Sequence, residues 1–371
     1  MSAENPLIAY WLSDKGNRPL FMEMINGVVE DRNYTLALSL IDQAPECFGS
    51  DSLFIKIDIL LAMGEYQDAS IELTKVRNKP DDRQRYNYYI AKIAFLQGQL
   101  DVALTHLEKN TVDLDSDGIL LKARAQYLSG ATESSAKTLS GISEIESNSQ
   151  AIGLAAMVAL DLGDYLKADV YCSKALQLNP IQPDALLAKA SVLIYHQNPT
   201  DADIFITQFL SQLPSSGRGW SVQGQTSLLR QNFNKSLSEL NTAVKLMPEH
   251  IGTWHLLAWN YYLLGLFDKA EQSFESALKL DEAFADSYGG LAVVAAIRGD
   301  VDVAQKHIKL ASRLNKSSFS AEYARALLEN AAGDNNAADI RIDNLLAQNT
   351  HLENVTYREL IRQVIERNAN E

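Results

Sequence analysis

The feature that most limits what this chain can fold into is a recurring pair of small residues. Gly64 and Ala69 are followed 34 positions later by Gly98 and Ala103. The same five-residue spacing returns in a second run as Gly163 with Ala168, Gly265 with Ala270, Gly299 with Ala304 and Gly333 with Ala338, these four separated by multiples of 34. The clearest copy is residues 251 to 284, IGTWHLLAWNYYLLGLFDKAEQSFESALKLDEAF. There Trp254, Leu257, Ala258 and Tyr261 fall at helical spacing, Gly265 breaks the helix, and Ala270, Phe274 and Ala277 share one face of a second helix. A lone pair of helices cannot bury such a face, so neighbouring copies must supply the missing surface.

The neighbours are present. Forward of this stretch stand Tyr288, Leu291, Ala292 and Ala311, then Ala326. Backward stand Trp220, Gly224, Ala243 and Pro248, then Leu186, Ala190, Ala202 and Pro214, then Ala156, Ala175 and Pro180. A less regular unit lies around Gly130 and Ser135, and a degenerate first one is anchored by Phe21 and Ala37. Small side chains at these places let two antiparallel backbones approach while larger neighbours fill the space beside them.

The 251–284 stretch resembles a tetratricopeptide repeat, departing from the family pattern in Ala258 for Gly and Glu282 for the late Pro. The resemblance implies an all-α fold, a right-handed superhelical α-solenoid of about ten helical hairpins. The expected layout is an N-terminal capping helix over 1–17, irregular repeats 1–4 over 18–148, repeats 5–10 in 34-residue register over 149–352, and a C-terminal capping helix over 353–371.

Length and composition agree with an array. At 371 residues an ordinary globular chain would divide into two or three domains, whereas stacked repeats have no such limit. A net charge of −14 and pI near 4.9 argue against a general role on nucleic acid or anionic membrane. Cys47 and Cys172 lie in different units without a pairing motif, and are expected as buried thiols in a reducing compartment. The apolar patch Leu7, Ile8, Tyr10, Trp11 and Leu12 is too short for a signal peptide and reads as an amphipathic cap. A cytoplasmic location is expected, the alternative being a mature periplasmic form that has lost a leader.

Chemistry is sparse. The six histidines include no H-E-x-x-H, and neither a phosphate-cradling Gly loop nor G-x-S-x-G occurs. The chain is therefore expected not to be an enzyme, and to carry no cofactor and no metal. One motif invites calcium, Asp113, Asp115, Asp117 and Gly118, but Arg124 stands where the bidentate Glu belongs. An acidic turn feeding the next helix N-terminus explains it instead.

In the family, first helices line a concave groove through slots 2, 5, 9 and 12. In the eighth unit His255, Trp259 and Tyr262 share one helix face, and Gly289 and Gly290 of the ninth suggest a gap beside this aromatic shelf. The shelf would seat an apolar anchor of a partner; alternatively, Trp259 packs on the next unit and the glycines ease a helix crossing. A second patch combines Phe54, Arg85, Tyr88, Lys92, Arg124 and Tyr127. It would hold an acidic, aromatic-containing segment, unless Asp81, Asp82 and Glu72 balance it as a solvated face. No unit pairs Lys or Arg at slot 5 with Asn at slot 9, so capture of chaperone C-termini is disfavoured.

The resemblance thus implies a non-enzymatic scaffold or adaptor binding protein or peptide segments in its groove, and it extends to bacterial arrays that assemble secretion, pilus or envelope machinery. The rival is a regulatory receptor contracting around a small signalling peptide.

Overall fold

The computed structural model describes residues 6–45, 48–77, 80–109, 115–142, 145–349, 356–359 and 362. Cys47, Asp113 and most of the expected C-terminal cap lie outside them. The chain divides into two compact units, Met1–Ile145 and Glu146–Glu371.

The first unit opens with α1 (Pro6–Ser13) and continues as four hairpins. These pair α2 (Arg18–Glu30) with α3 (Tyr34–Ile41), α4 (Asp51–Met63) with α5 (Tyr66–Thr74), α6 (Arg83–Leu96) with α7 (Leu100–Glu108), and α8 (Ser116–Leu128) with α9 (Thr132–Leu139). Helix α1 covers the open apolar end. Its Trp11 is fully buried, with its ring 5.3 Å from that of Phe21.

The second unit is six hairpins. They pair α10 (Ser149–Asp161) with α11 (Tyr165–Leu178), α12 (Pro183–Tyr195) with α13 (Pro199–Gln212), α14 (Gly217–Leu229) with α15 (Phe233–Leu246), α16 (Ile251–Leu263) with α17 (Phe267–Leu280), α18 (Ala285–Arg298) with α19 (Val301–Leu314), and α20 (Phe319–Ala331) with α21 (Asn335–Leu346). Both units are all-α stacks of antiparallel pairs. Among the described residues no helix is long and apolar enough to cross a membrane.

The sequence dictates each hairpin locally. Short polar side chains start the helices, as where Asp115 Oδ1 accepts the Gly118 N–H at 2.8 Å and Asn148 Oδ1 accepts the Ala151 N–H at 3.0 Å. The intervening turn needs one left-handed residue, supplied by Gly265 at φ 72° and Gly299 at φ 81°. Three turns depart from this rule: Arg32, Gln197 and Gln231 take φ 57–58° without being glycine. The close-packing alanines behave as their register requires, with Ala69, Ala103, Ala168, Ala202, Ala270 and Ala304 wholly buried. Where serine replaces alanine its hydroxyl is satisfied across the crossing. Ser135 Oγ donates to the Ala123 carbonyl at 2.7 Å, and Ser236 Oγ to the Gly224 carbonyl at 2.8 Å.

Candidate functional site

Three residues of the basic and aromatic patch of the first unit, Arg85, Tyr88 and Lys92, wall a cavity of about 380 Å³ on α6 together with Asp58, Asp115 and Asp117. Its charges differ from the expectation. Arg85 Nη1 pairs with Asp51 Oδ1 at 2.7 Å and lies 3.9 Å above the Phe54 ring, while Lys92 Nζ pairs with Asp58 Oδ1 at 2.7 Å. Hydrogen bonding from Arg85 holds the Asp51 carboxyl below its usual range. Tyr89 Oη also donates to Asp58, at 2.5 Å. Burial, then Asp117, Asp58 and Asp115, push the Tyr88 phenol up to about 12.

The two cations thus carry their own counter-ions, and Asp115 and Asp117 add to the acid side. An acidic segment entering here would meet Asp115 and Asp117 beside cations already paired with Asp51 and Asp58. Phe54 is a core residue at 1% exposure, not a wall of the site. Arg124 and Tyr127 stand half-buried on α8 outside the cavity lining. The balancing acids are Asp51 and Asp58; Glu72 is occupied with Lys56 and Lys75, and Asp82 with Ser50. Asp115, one of the three aspartates of the calcium motif, accepts the Gly118 N–H as the α8 cap.

The aromatic shelf of the second unit is built as spaced, but it serves the chain itself. His255, Trp259 and Tyr262 are half-buried on one face of α16. His255 Nε2 lies 2.9 Å from Ser287 Oγ on α18, and its ring is edge-on to Phe274 and Phe284, at 5.4 and 5.0 Å between centroids. Burial lowers its pKa. Trp259 packs edge-on against Phe274 at 5.4 Å and Tyr262 at 5.5 Å. Tyr262 Oη reaches Tyr323 Oη on α20 at 3.0 Å, passing over α18.

Gly289 and Gly290 leave no gap, contrary to the first of the two sequence readings, that of a space kept for a partner. A Cβ on Gly290 would stand 2.3 Å from Phe274 Cε1, and one on Gly289 2.6 Å from Ser320 Cβ. The space that these glycines create is filled by their own neighbours.

An open cavity does exist elsewhere on the first-helix face of this unit. It measures about 840 Å³ and is bounded by α10, α12 and α14. Leu160, Ile194, Val222 and Met247 give it apolar surface, and Ser191, Gln225, Arg218 and His250 give it polar groups. Asp161 and Arg218 meet at its rim in a two-pronged ion pair, at 2.5 and 3.0 Å. Tyr195, in the wall, stacks on Tyr165 with centroids 3.5 Å apart. His250 Nδ1 accepts the Thr253 N–H at 3.1 Å, which leaves Nε2 to carry the proton of the neutral ring. Burial followed by Arg218 lowers the His250 pKa, favouring that neutral form.

Sequence reasoning passed over this cavity. Ser191, Ser221 and Gln225 occupy groove slots, but they are small or uncharged and carry little signal alone. Asp161 and Arg218 belong to units two steps apart, a relation that the repeat spacing does not display.

The tetratricopeptide repeat family model matches residues 149–182 and 251–284. Among solved structures, IFIT1 in a monomeric mutant form with Gppp-AAAA is similar at TM-score 0.52 and 14% identity, covering 86% of this chain and 80% of its own. Pseudomonas aeruginosa pilF aligns at TM-score 0.44 and 18% identity, over 58% of this chain and 97% of that one. MamA aligns at TM-score 0.39 and 21% identity, over 44% and 95%. These likenesses are of fold. No curated protein matches the sequence.

Proposed function

We propose that this chain, a tetratricopeptide repeat protein, is a non-catalytic scaffold that takes an extended segment of a partner protein into the cavity bounded by α10, α12 and α14. The observation that carries the reading is the contrast along one helix face. The aromatic end is closed by the Tyr262–Tyr323 contact, whereas the cavity between Tyr195 and Gln225 stays open at about 840 Å³. An extended backbone brings one N–H and one C=O per residue, and each must keep a partner once it leaves water. The Gln225 amide supplies a donor and an acceptor, the Ser191 hydroxyl, whose proton goes to the Leu187 carbonyl at 2.8 Å, adds an acceptor, and neutral His250 adds a donor. Apolar side chains of the segment would rest on Leu160, Ile194 and Met247.

The test is selection from a displayed random-peptide library against the whole chain, followed by titration of the selected peptides. Gln225→Trp fills the cavity from a half-exposed position and should leave the fold intact by circular dichroism. Binding should weaken by about tenfold or more in that variant and persist in Tyr262→Phe. Equal binding to the parent and to Gln225→Trp would remove the cavity from the function. A role in secretion, pilus or envelope assembly is a finer proposal, tested by crosslinking through Gln225 in the native host. The peptide-receptor alternative predicts a smaller radius of gyration in solution scattering once peptide is bound.

A further inference from the structure

A second cavity, of about 520 Å³, lies between α19 and α20, away from the groove face. It is unusual for its charge. Lys309 and Arg313, one turn apart on α19, are both exposed at its edge, with Arg325 of α20 between the helices. The single carboxylate in the wall, Glu329, is already engaged. Its two oxygens accept from Arg341 Nη2 at 2.6 Å and Nε at 2.9 Å.

Following the remaining charges shows what is left over. Arg325 donates to Glu322 and, through Nη2, to Ser312 Oγ at 2.9 Å. Glu322 also accepts from Arg341. Two guanidinium groups and two carboxylates therefore cancel within one network. Lys309 and Arg313 have no carboxylate partner among the described residues. Like charges at this spacing repel each other along a helix. The α19 dipole favours Arg313 in the last turn, but it acts only weakly on Lys309, which stands further back. Beside the pair, the half-buried Leu328 and the core residue Ile308, 5% exposed, line the same cavity.

We propose that this cavity binds a peptide segment through an oxyanion, with a carboxylate or phosphate held between Lys309 and Arg313 and an adjacent apolar side chain resting on Ile308 and Leu328. Lys309 serves as a point charge and Arg313 as a planar two-pronged donor. Ser312 and Gln305 lie in the wall as neutral partners for the remaining oxygens. The chain as a whole is at −14, so it repels acidic peptides; binding here must come from a local site, not from overall charge. The site is independent of the groove cavity.

Three fluorescein-labelled peptides of one sequence test it by anisotropy on the whole chain. They carry central glutamates, phosphoserines or glutamines between leucines. The glutamate peptide, the phosphoserine peptide or both should bind, the glutamine peptide should not, and added salt should weaken the binding. Which of the first two binds tighter identifies the oxyanion source. In Lys309→Gln/Arg313→Gln the affinity should fall by about tenfold or more. Lys309→Arg should retain it, and Gln225→Trp should not alter it. Because both replaced side chains are exposed, the double variant should melt no lower than the parent. Failure of both anionic peptides to bind, equal binding of the glutamine peptide, or undiminished binding to the double variant would each overturn the proposal.

Discussion

Tyr262 and Tyr323 meet hydroxyl to hydroxyl at 3.0 Å, although they stand on first helices two hairpins apart. Both rings pack with the buried Val293 of α18 in one apolar cluster. Burial and the shared hydrogen bond both push the Tyr262 phenol above its ordinary range. A hydroxyl pair of this kind contributes about 0.5–1.5 kcal/mol net. Tyr262→Phe and Tyr323→Phe should each lower the stability of the second unit by about that amount. The double variant should cost little more than either one, because both remove the same bond. Urea denaturation of the three variants measures the coupling, and strictly additive losses would show that the hydroxyls act separately.

Gly290→Ala should destabilise despite alanine's better helix propensity. The new methyl would stand 2.3 Å from Phe274 Cε1, and Phe274 is wholly buried with Ala258, Ala270 and Leu291 in one core cluster. Propensity favours the change by about 0.5–1 kcal/mol, while overpacking opposes it by about 1–3 kcal/mol. The expected result is a lower denaturation midpoint, as for Ala270→Phe at the neighbouring crossing. An unchanged or raised midpoint would mean that Phe274 can swing aside and leave the opening read from sequence.

The register made much of the fold legible. Ala270, Ala304 and Gly265 declare their roles because a close crossing tolerates only a small side chain and a left-handed turn favours only glycine. What the register leaves open is the identity of whatever fills a space. Gly290 marks a vacancy on α18 correctly, but only the packing shows that Phe274 occupies it. Arg85 and Lys92 were visible as cations. Their neutralisation by Asp51 and Asp58 depends on how α4 lies against α6, which spacing within one helix does not specify. The Asp161–Arg218 pair depends on the stepping of α10, α12 and α14, so the cavity that it borders gave little sequence signal.

Gln231→Gly should stabilise. Gln231 fills the turn slot that Gly265 fills in the next hairpin, and it holds φ 58° where Gly265 holds 72°. The left-handed conformation costs a residue with a Cβ about 1–2 kcal/mol, and glycine's extra freedom in the unfolded chain returns about 0.5–1 kcal/mol of that. A net gain of about 0.5–1 kcal/mol is expected on these figures. The reciprocal change, Gly265→Gln, should lose a similar amount through conformation alone, because nothing lies within 4 Å of its Cβ position. Equal midpoints for Gln231→Gly and the parent would show that the side chain compensates the backbone strain.

Acid should weaken the second unit before its carboxylates begin to titrate. His250, His255 and His307 all have pKa values lowered from 6.5, in each case chiefly by burial; Arg218 adds to this at His250 and Lys306 at His307, while Asp286 opposes it at His255. For a base with a depressed folded value, the unfolded chain takes up the proton first. The stability is therefore fully present above the unfolded value of 6.5, and it is lost as pH falls from there through the lower folded values. Glu329, whose value is lowered from 4.5 chiefly by hydrogen bonding from Arg341, adds its loss only in more acidic solution, while Glu239, raised by burial, acts in the opposite sense. Urea midpoints measured from about pH 7.5 down to about pH 5.5 should decline, with a slope corresponding to as many as three protons. His255→Asn removes one titrating ring while keeping a polar group near Ser287, and it should flatten that slope by up to one proton. A midpoint that stays level or rises over this interval would show that these rings titrate as they do in the unfolded chain, and that their burial does not govern the acid response.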